Sequence, residues 1–317
     1  MFGKKVVVDM ISRSAENEAD RRNFLRNAGL AGLGVLGTSA LAGAGGITAS
    51  AAPKAAAAAG PSDGAILNFA LNLEYLEAEF YLHASYGRGL RNSLTEGKGT
   101  RGGVSGGRAV RFESHAIEQY AREIAEDEAA HVTFLRGALG RAAVARPAID
   151  LKGSFTAAAR AAGLISAKQT FDPFANENNF LLAAFLFEDV GVTAYKGAAP
   201  LIDNKTYLEA AAGILAVEAY HAGIVRTSLY AKGLQAAVKK LSNARDSLDG
   251  RSDDDRGIGS KEKGNLVPAD RNSIAYSRTP GAVLNIVYLN PRSVTRGGFF
   301  PAGVNGEVNT SADNAGS

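Results

Sequence analysis

Ile124-Ala-Glu-Asp-Glu128-Ala-Ala-His131-Val-Thr-Phe-Leu135 and Ile214-Leu-Ala-Val-Glu218-Ala-Tyr-His221-Ala-Gly-Ile-Val225 carry the same device at a constant offset of 90 residues. In the first, apolar residues recur at helical spacing through Ile117, Tyr120, Ile124, Leu135 and Leu139. In the second they recur through Leu208, Ala211, Leu215, Ala222, Val225 and Leu229. Each stripe is interrupted by Glu-x-x-His, and residues three apart share one helix face, one turn from each other. The match extends to Arg136 with Arg226 and Leu139 with Leu229.

Two further stretches repeat in step. Leu73-Glu74…Tyr81 parallels Phe187-Glu188…Tyr195. Seven residues is two turns, so Tyr81 and Tyr195 share a face with Glu74 and Glu188. The order is Glu, Glu-x-x-His, Glu, Glu-x-x-His on four apolar stripes. A carboxylate in a helical core is costly unless paired, and four would repel one another. Two divalent cations balance four glutamates, and two neutral imidazoles complete the set. The metal ligands expected are Glu74, Glu128, His131, Glu188, Glu218 and His221. Glu77, one turn from Glu74, is an alternate ligand of the first helix or an additional carboxylate. Oxygen and imidazole donors without thiolate suit iron or manganese, iron favoured, and zinc less selectively. Tyr81 and Tyr195 are candidate donors beside the metals, with Tyr120 a weaker one, although a buried tyrosine is more often packing. Glu79 is expected to face solvent. Arg136 and Arg226 are expected to be structural or exposed, and His83 and His115 have no partner at ligand spacing.

The stripes set the architecture. Four long helices are expected at about 63–86, 112–139, 178–199 and 204–231. Ser62-Asp63 begins the first, and Gly87, Gly140, Pro200 and Gly233 close them in turn. The second and third are joined by a long connection, about 140–177, with a short helical piece near 154–162. This is an all-α, ferritin-like four-helix bundle, 62–248, with a long crossover between helices 2 and 3. A short amphipathic helix, 234–248, leans on it. Residues 249–308 form an extension packed on the bundle, its 280–308 part an irregular or short-strand cap. Residues 309–317 read as a disordered tail.

The chain has 317 residues, 46% hydrophobic, no cysteine and a formal net charge of +3. Disulfides and thiolate metal sites are excluded. Residues 1–51 hold +2 of that charge, so the body is near neutral and makes no electrostatic case for nucleic acid. The eight glycines of 87–107, with Arg88, Arg91, Lys98 and Arg101, lack the order of a phosphate-binding loop and read as a solvated loop. Arg21-Arg22-Asn23-Phe24-Leu25-Arg26, the weakly apolar run 29–44 and Ala49-Ser50-Ala51 resemble a twin-arginine (Tat) signal. The run is too short and Gly-rich for a stable membrane span. Residues 52–61 are a linker. Export to the periplasm or the exterior is expected, with no membrane span after signal removal.

Ile66-Leu-Asn-Phe-Ala-Leu-Asn-Leu-Glu-Tyr-Leu-Glu-Ala-Glu-Phe-Tyr81, Glu126-Asp-Glu-Ala-Ala-His131, Tyr276-Ser-Arg-Thr-Pro280, Val283-Leu284, Ile286-Val-Tyr288 and Gly298-Phe-Phe-Pro-Ala-Gly-Val-Asn-Gly306 resemble the desiccation-related proteins of the PCC13-62 type. The resemblance covers about 62–308. It implies a ferritin-like bundle and a link to desiccation or oxidative stress, without an established reaction or the cage assembly of ferritins. The partners expected are metal ions and small oxidants, with a homo-oligomer an open alternative. Three functions fit: redox chemistry on peroxide, O2 or Fe(II), iron or manganese binding without turnover, and a metal-free structural stress protein.

Overall fold

The structure is a computed structural model, described here for residues 60–252 and 254–314. The leader and most of the linker lie outside the described residues. Helix α1, Asp63–Tyr86, ends where Gly87 turns left-handed at φ +68°. Helix α2, His115–Leu139, starts at Ser114, whose side chain accepts from the Ile117 amide. That cap, three residues inside the expected start, sets the boundary. The crossover holds α3, Gly153–Ala161, and β2, Ile149–Asp150, which pairs in parallel with β1, Val104–Ser105, of the loop between α1 and α2. Helix α4, Glu177–Ala198, is capped by Asn176, and α5, Lys205–Ala231, by Asn204. Helices α6, Gln235–Asp249, and α7, Pro280–Tyr288, follow.

Two antiparallel hairpins, α1 with α2 and α4 with α5, make the bundle. The crossover and the extension cover α1 and α4. Phe155 and Phe174 of the crossover lie 5.5 and 5.6 Å from Phe80 of α1, ring centre to ring centre. Phe299 of the extension lies 5.0 Å from Phe187 of α4 and 4.9 Å from Phe155. Asn72 of α1 and Asn305 bond reciprocally, side-chain amide to backbone. Such contacts bury 19 of the 24 residues of α1 and 18 of the 22 of α4, against 9 of 25 in α2 and 8 of 27 in α5.

The extension departs from its expected form. Residues 280–288 are a helix, although rich in β-branched residues. Thr279 accepts from the Ala282 amide, Pro280 occupies the first turn, and Val283, Ile286 and Val287 are buried at helical spacing. Residues 309–314, expected to be a disordered tail, are tied down. Tyr288 donates to the Asn309 carbonyl, and the amides of Ser311, Ala312 and Asn314 donate to Val294, Gly281 and Pro291.

Extension and bundle are also joined by charge. Arg226 donates to Asp189 at 2.6 Å. Arg245 bonds Asp189 and Asp255, and Arg278 bonds Asp249 and Asp255. All six are at least nine-tenths buried. Three guanidinium groups balance three carboxylates, which permits burial. Arg226 and Arg136 are thus structural, the latter donating to Tyr75 and the Glu96 carbonyl. Glu79 does not face solvent: it is fully buried, ion-paired with Arg146 and accepting from the Leu90 amide. Its turn of α1 lies beneath the loop of 87–111, whose Gly89 would drive a Cβ into the Glu79 carboxylate.

Candidate metal centre

The interior of the bundle holds a carboxylate cluster. Glu74, Glu128 and Glu218 show no exposed surface, Glu188 1%, His221 3% and His131 9%. Glu74, Glu128, His131 and Glu218 each offer one ligand atom to a common group within 4.8 Å, and Glu128, Glu188 and His221 form a second such group. Glu128 belongs to both. His131 Nδ1 lies 3.2 Å from Glu74, 3.3 Å from Glu128 and 4.0 Å from Glu218. His221 Nδ1 lies 3.1 Å from Glu128 and 3.6 Å from Glu188. The six residues drawn from the repeat therefore converge. Glu77 is buried beside them but joins neither group.

Around this cluster, the two glutamates with no histidine three residues on, Glu74 and Glu188, are each held by a phenol. Tyr81 donates to Glu188 and Tyr195 to Glu74, each reaching across from the opposite hairpin. Burial, reinforced by the carboxylate each bonds, pushes both phenols well above the usual tyrosine range, so they remain donors. Tyr120 is 37% exposed and takes no part. His83 bonds the Glu79 carbonyl, and His115 sits on the surface.

Without a cation the cluster is electrostatically frustrated. Burial pushes Glu74 up to about 7 and Glu188 to about 8, with the Glu128 charge adding and the neighbouring histidines opposing. Glu77 and Glu218 are raised well above the carboxylate range, by burial first and then by the surrounding carboxylates. Glu128 alone is held low: burial opposes ionisation, but His131 and His221 together outweigh it. His221 is raised to about 10, burial opposing and Glu188 leading the carboxylates that prevail.

Hydrogen bonding leaves the same residue types incomplete. Glu128 Oε1, Glu188 Oε2, both oxygens of Glu218 and His221 Nδ1 are buried without an aligned hydrogen bond, although His221 Nδ1 and Glu128 Oε1 stand 3.1 Å apart. Buried polar atoms are normally paired. Five such donor atoms at the meeting point of four helices, all oxygen or imidazole nitrogen, fit a pair of divalent ions. Gly191 adds to the fit. A Cβ there would sit 2.2 Å from Glu218 Oε2, so its absence makes room for that carboxylate.

Two contributors escaped the sequence. Asp127 accepts from His221 Nε2 at 3.1 Å while its own side chain is 43% exposed. It fixes the ring so that Nδ1 points inward. Lying one position off the stripe, it reads as a surface acid. Gly191, three residues after Glu188, was visible as an inward glycine in a helix interior.

A family model described as the ferritin-like domain matches residues 62–231. The chain is 32% identical over 268 residues to the desiccation-related protein PCC13-62 of Craterostigma plantagineum, spanning 78% of this chain and 84% of that one. It is 28% identical over 264 residues to the ferritin-like catalase Nec2 of Nesocodon mauritianus, spanning 77% and 83%. No solved structure matches it. With its paired hairpins, long crossover and extended C-terminal region, the chain belongs to the ferritin-like, desiccation-related protein family.

Proposed function

We propose that the protein is an exported dimetal-carboxylate redox enzyme that converts two molecules of hydrogen peroxide into two of water and one of dioxygen. The observation that carries this reading is the convergence of six buried glutamate and histidine ligands in two groups that share Glu128. The relative named as a ferritin-like catalase supports the choice of peroxide. Export rests on the arginine pair and small-residue cleavage pattern of residues 1–51. A pathway that exports folded proteins suits a chain loaded with metal before it leaves the cytoplasm.

Bound by these residues, two iron or manganese ions supply reversible electron storage for both halves of the reaction. Glu128, shared by both groups, would help hold either ion. Glu74, His131 and Glu218 would complete one position, and Glu188 with His221 the other. Tyr81 and Tyr195 hold Glu188 and Glu74 in one orientation, and Asp127 keeps the proton of His221 on Nε2. Burial excludes bulk water and larger reductants.

The test is dioxygen evolution from peroxide by protein loaded with Mn(II) or Fe(II). Wild type is expected to turn over and Glu128→Gln to lose at least about 100-fold, as for the loss of a buried charge worth roughly 3 kcal/mol. Wild-type protein that holds two ions yet evolves no dioxygen favours the second reading, metal binding without turnover. That reading draws on the burial of all six ligands, which suits slow exchange.

A further inference from the structure

Two apolar cavities adjoin each other behind the metal centre, on the side covered by the crossover and the extension. The outer one, about 150 Å³, lies between α3, α4, α6 and α7. Ala157, Ala161 and Ser247 line its exposed mouth, and Leu186, Phe187 and Val287 are buried in its wall. The inner one, about 10 Å³, lies between α1, α4 and α7. It has Leu186, Phe187 and Val287 in its wall as well, so these three side chains are the partition between the two.

The inner cavity reaches the cluster. Glu77, buried beside the ligands, lines it, and so does Gly191. A Cβ on Gly191 would stand 2.2 Å from Glu218 Oε2. At that point no side chain stands between the cavity wall and a ligand of the metal centre.

Chemistry selects the occupant. Around the outer cavity the polar residues are Ser247, at the mouth, and Arg245, whose guanidinium is taken up by Asp189, Asp255 and the Phe185 carbonyl. Around the inner one only Glu77 is polar. Each hydroxyl buried without a hydrogen bond costs about 1–3 kcal/mol, and hydrogen peroxide brings two. An apolar cavity of roughly 150 Å³ stays dry and takes up xenon or benzene instead. The inner cavity holds about one water-sized sphere, so it passes nothing larger than a diatomic molecule. Dioxygen meets both conditions, being apolar and small.

We propose that the two cavities form a passage for dioxygen between solvent and the metal centre, gated by Leu186, Phe187 and Val287. The proposal rests on the dimetal reading and deepens it. Dioxygen leaves through the covered side, which is closed to water, while peroxide and water exchange on the side of Asp127. The Phe187 ring is pinned by Phe80, Phe155 and Phe299, with ring centres 5.5, 5.4 and 5.0 Å away. The gate therefore opens by rotamer hops of Leu186 and Val287.

The first test needs no variant and no metal. Crystals of the full-length protein under xenon pressure are expected to show xenon in the outer cavity. The second is stopped-flow binding of nitric oxide, an apolar diatomic gas, to Fe(II)-loaded protein. Ala244→Phe and Ala158→Leu fill the outer cavity from α6 and α3. Each is expected to slow nitric oxide binding at least about tenfold, with helix content and metal content unchanged. Oxidation of the same Fe(II) protein by one equivalent of hydrogen peroxide is expected to keep its wild-type rate. A cavity without xenon, nitric oxide binding indifferent to both variants, or peroxide slowed as much as nitric oxide overturns the proposal. Protein that meets all three expectations yet evolves no dioxygen from peroxide refutes turnover alone and upholds the passage.

Discussion

Helices α1 and α4 are enclosed on all sides, whereas α2 and α5 turn most of their residues to solvent, yet all four furnish one cluster. The division of labour follows the enclosure. The covered helices each give a single glutamate and a tyrosine that steadies the glutamate of the other. The exposed helices each give Glu-x-x-His, and from α2 Asp127 reaches His221 while remaining open to solvent. The centre thus has a rigid, sealed side under the crossover and extension, and a side one side chain deep. Rigidity is bought there by burying arginines and aspartates, and access is kept where nothing packs.

The largest test of this arrangement removes what both sides share. Each ion held at a free concentration a thousandfold above its dissociation constant adds about 4 kcal/mol to stability, so two contribute roughly 8. For a domain of this size, at roughly 2–4 °C per kcal/mol, chelation is expected to lower the melting temperature by at least about 15 °C. The loss also depends on pH, and its sign follows from the cluster. In metal-free protein Glu74 and Glu188 titrate at about 7 and about 8, above the ordinary value of 4.5. Groups raised in this way support the fold fully below their unfolded pKa and cease to do so as pH rises through the folded one. His221, raised to about 10, acts in the same direction, and Glu128, held low, adds no slope above pH 5. Metal-free protein should therefore lose stability steadily from pH 5 to 9, while metal binding, which displaces protons, strengthens over that range. Calorimetry with and without chelator at pH 6 and pH 8 checks it. A smaller gap at pH 8 contradicts the frustrated cluster.

Next in size is the latch over the sealed side. Arg278→Ala strands the Asp249 carboxylate and leaves Asp255 to Arg245 alone, and is expected to cost about 3 kcal/mol. On the open side, Arg122 and Glu118 of α2 form an ion pair whose side chains are 44% and 35% exposed. Arg122→Ala should cost under about 1 kcal/mol. Urea unfolding of the two variants gives the ratio directly, and comparable losses would dissolve the distinction between the faces.

That distinction also explains what the sequence revealed. Glu128 and His131 were legible because α2 keeps a polar side, so an acid on the apolar stripe stands out, and Glu218 and His221 because α5 holds hardly any other charge between Glu209 and Lys232. Helix α1 is apolar nearly all round, and its facing could not be read: Glu79 was expected in solvent and is buried against Arg146, and Glu77 stood level with Glu74. Partners far apart in the chain were invisible. Nothing near Asp189 announces that Arg226, Arg245 and, through Asp255, Arg278 gather around it. The helix at 280–288 was hidden by its β-branched residues, because tertiary burial overrode a weak local preference.

The smallest effect discriminates most finely, because it rests on one methyl group. Gly197 in α4 and Gly137 in α2 are both helical glycines. A Cβ on Gly197 would stand 1.9 Å from the Arg278 carbonyl oxygen and 2.7 Å from its carbon, so the extension's backbone must move. Gly197→Ala is expected to cost about 1–3 kcal/mol through overpacking. A Cβ on Gly137 would meet nothing within 4 Å. Gly137→Ala is expected to gain about 0.5–1 kcal/mol by removing the conformational penalty of glycine. Urea midpoints at unchanged slope read both values. The two signs must differ if the extension seals α4 and nothing seals α2. A destabilised Gly137→Ala would mean that α2 is also covered, by something outside the single chain.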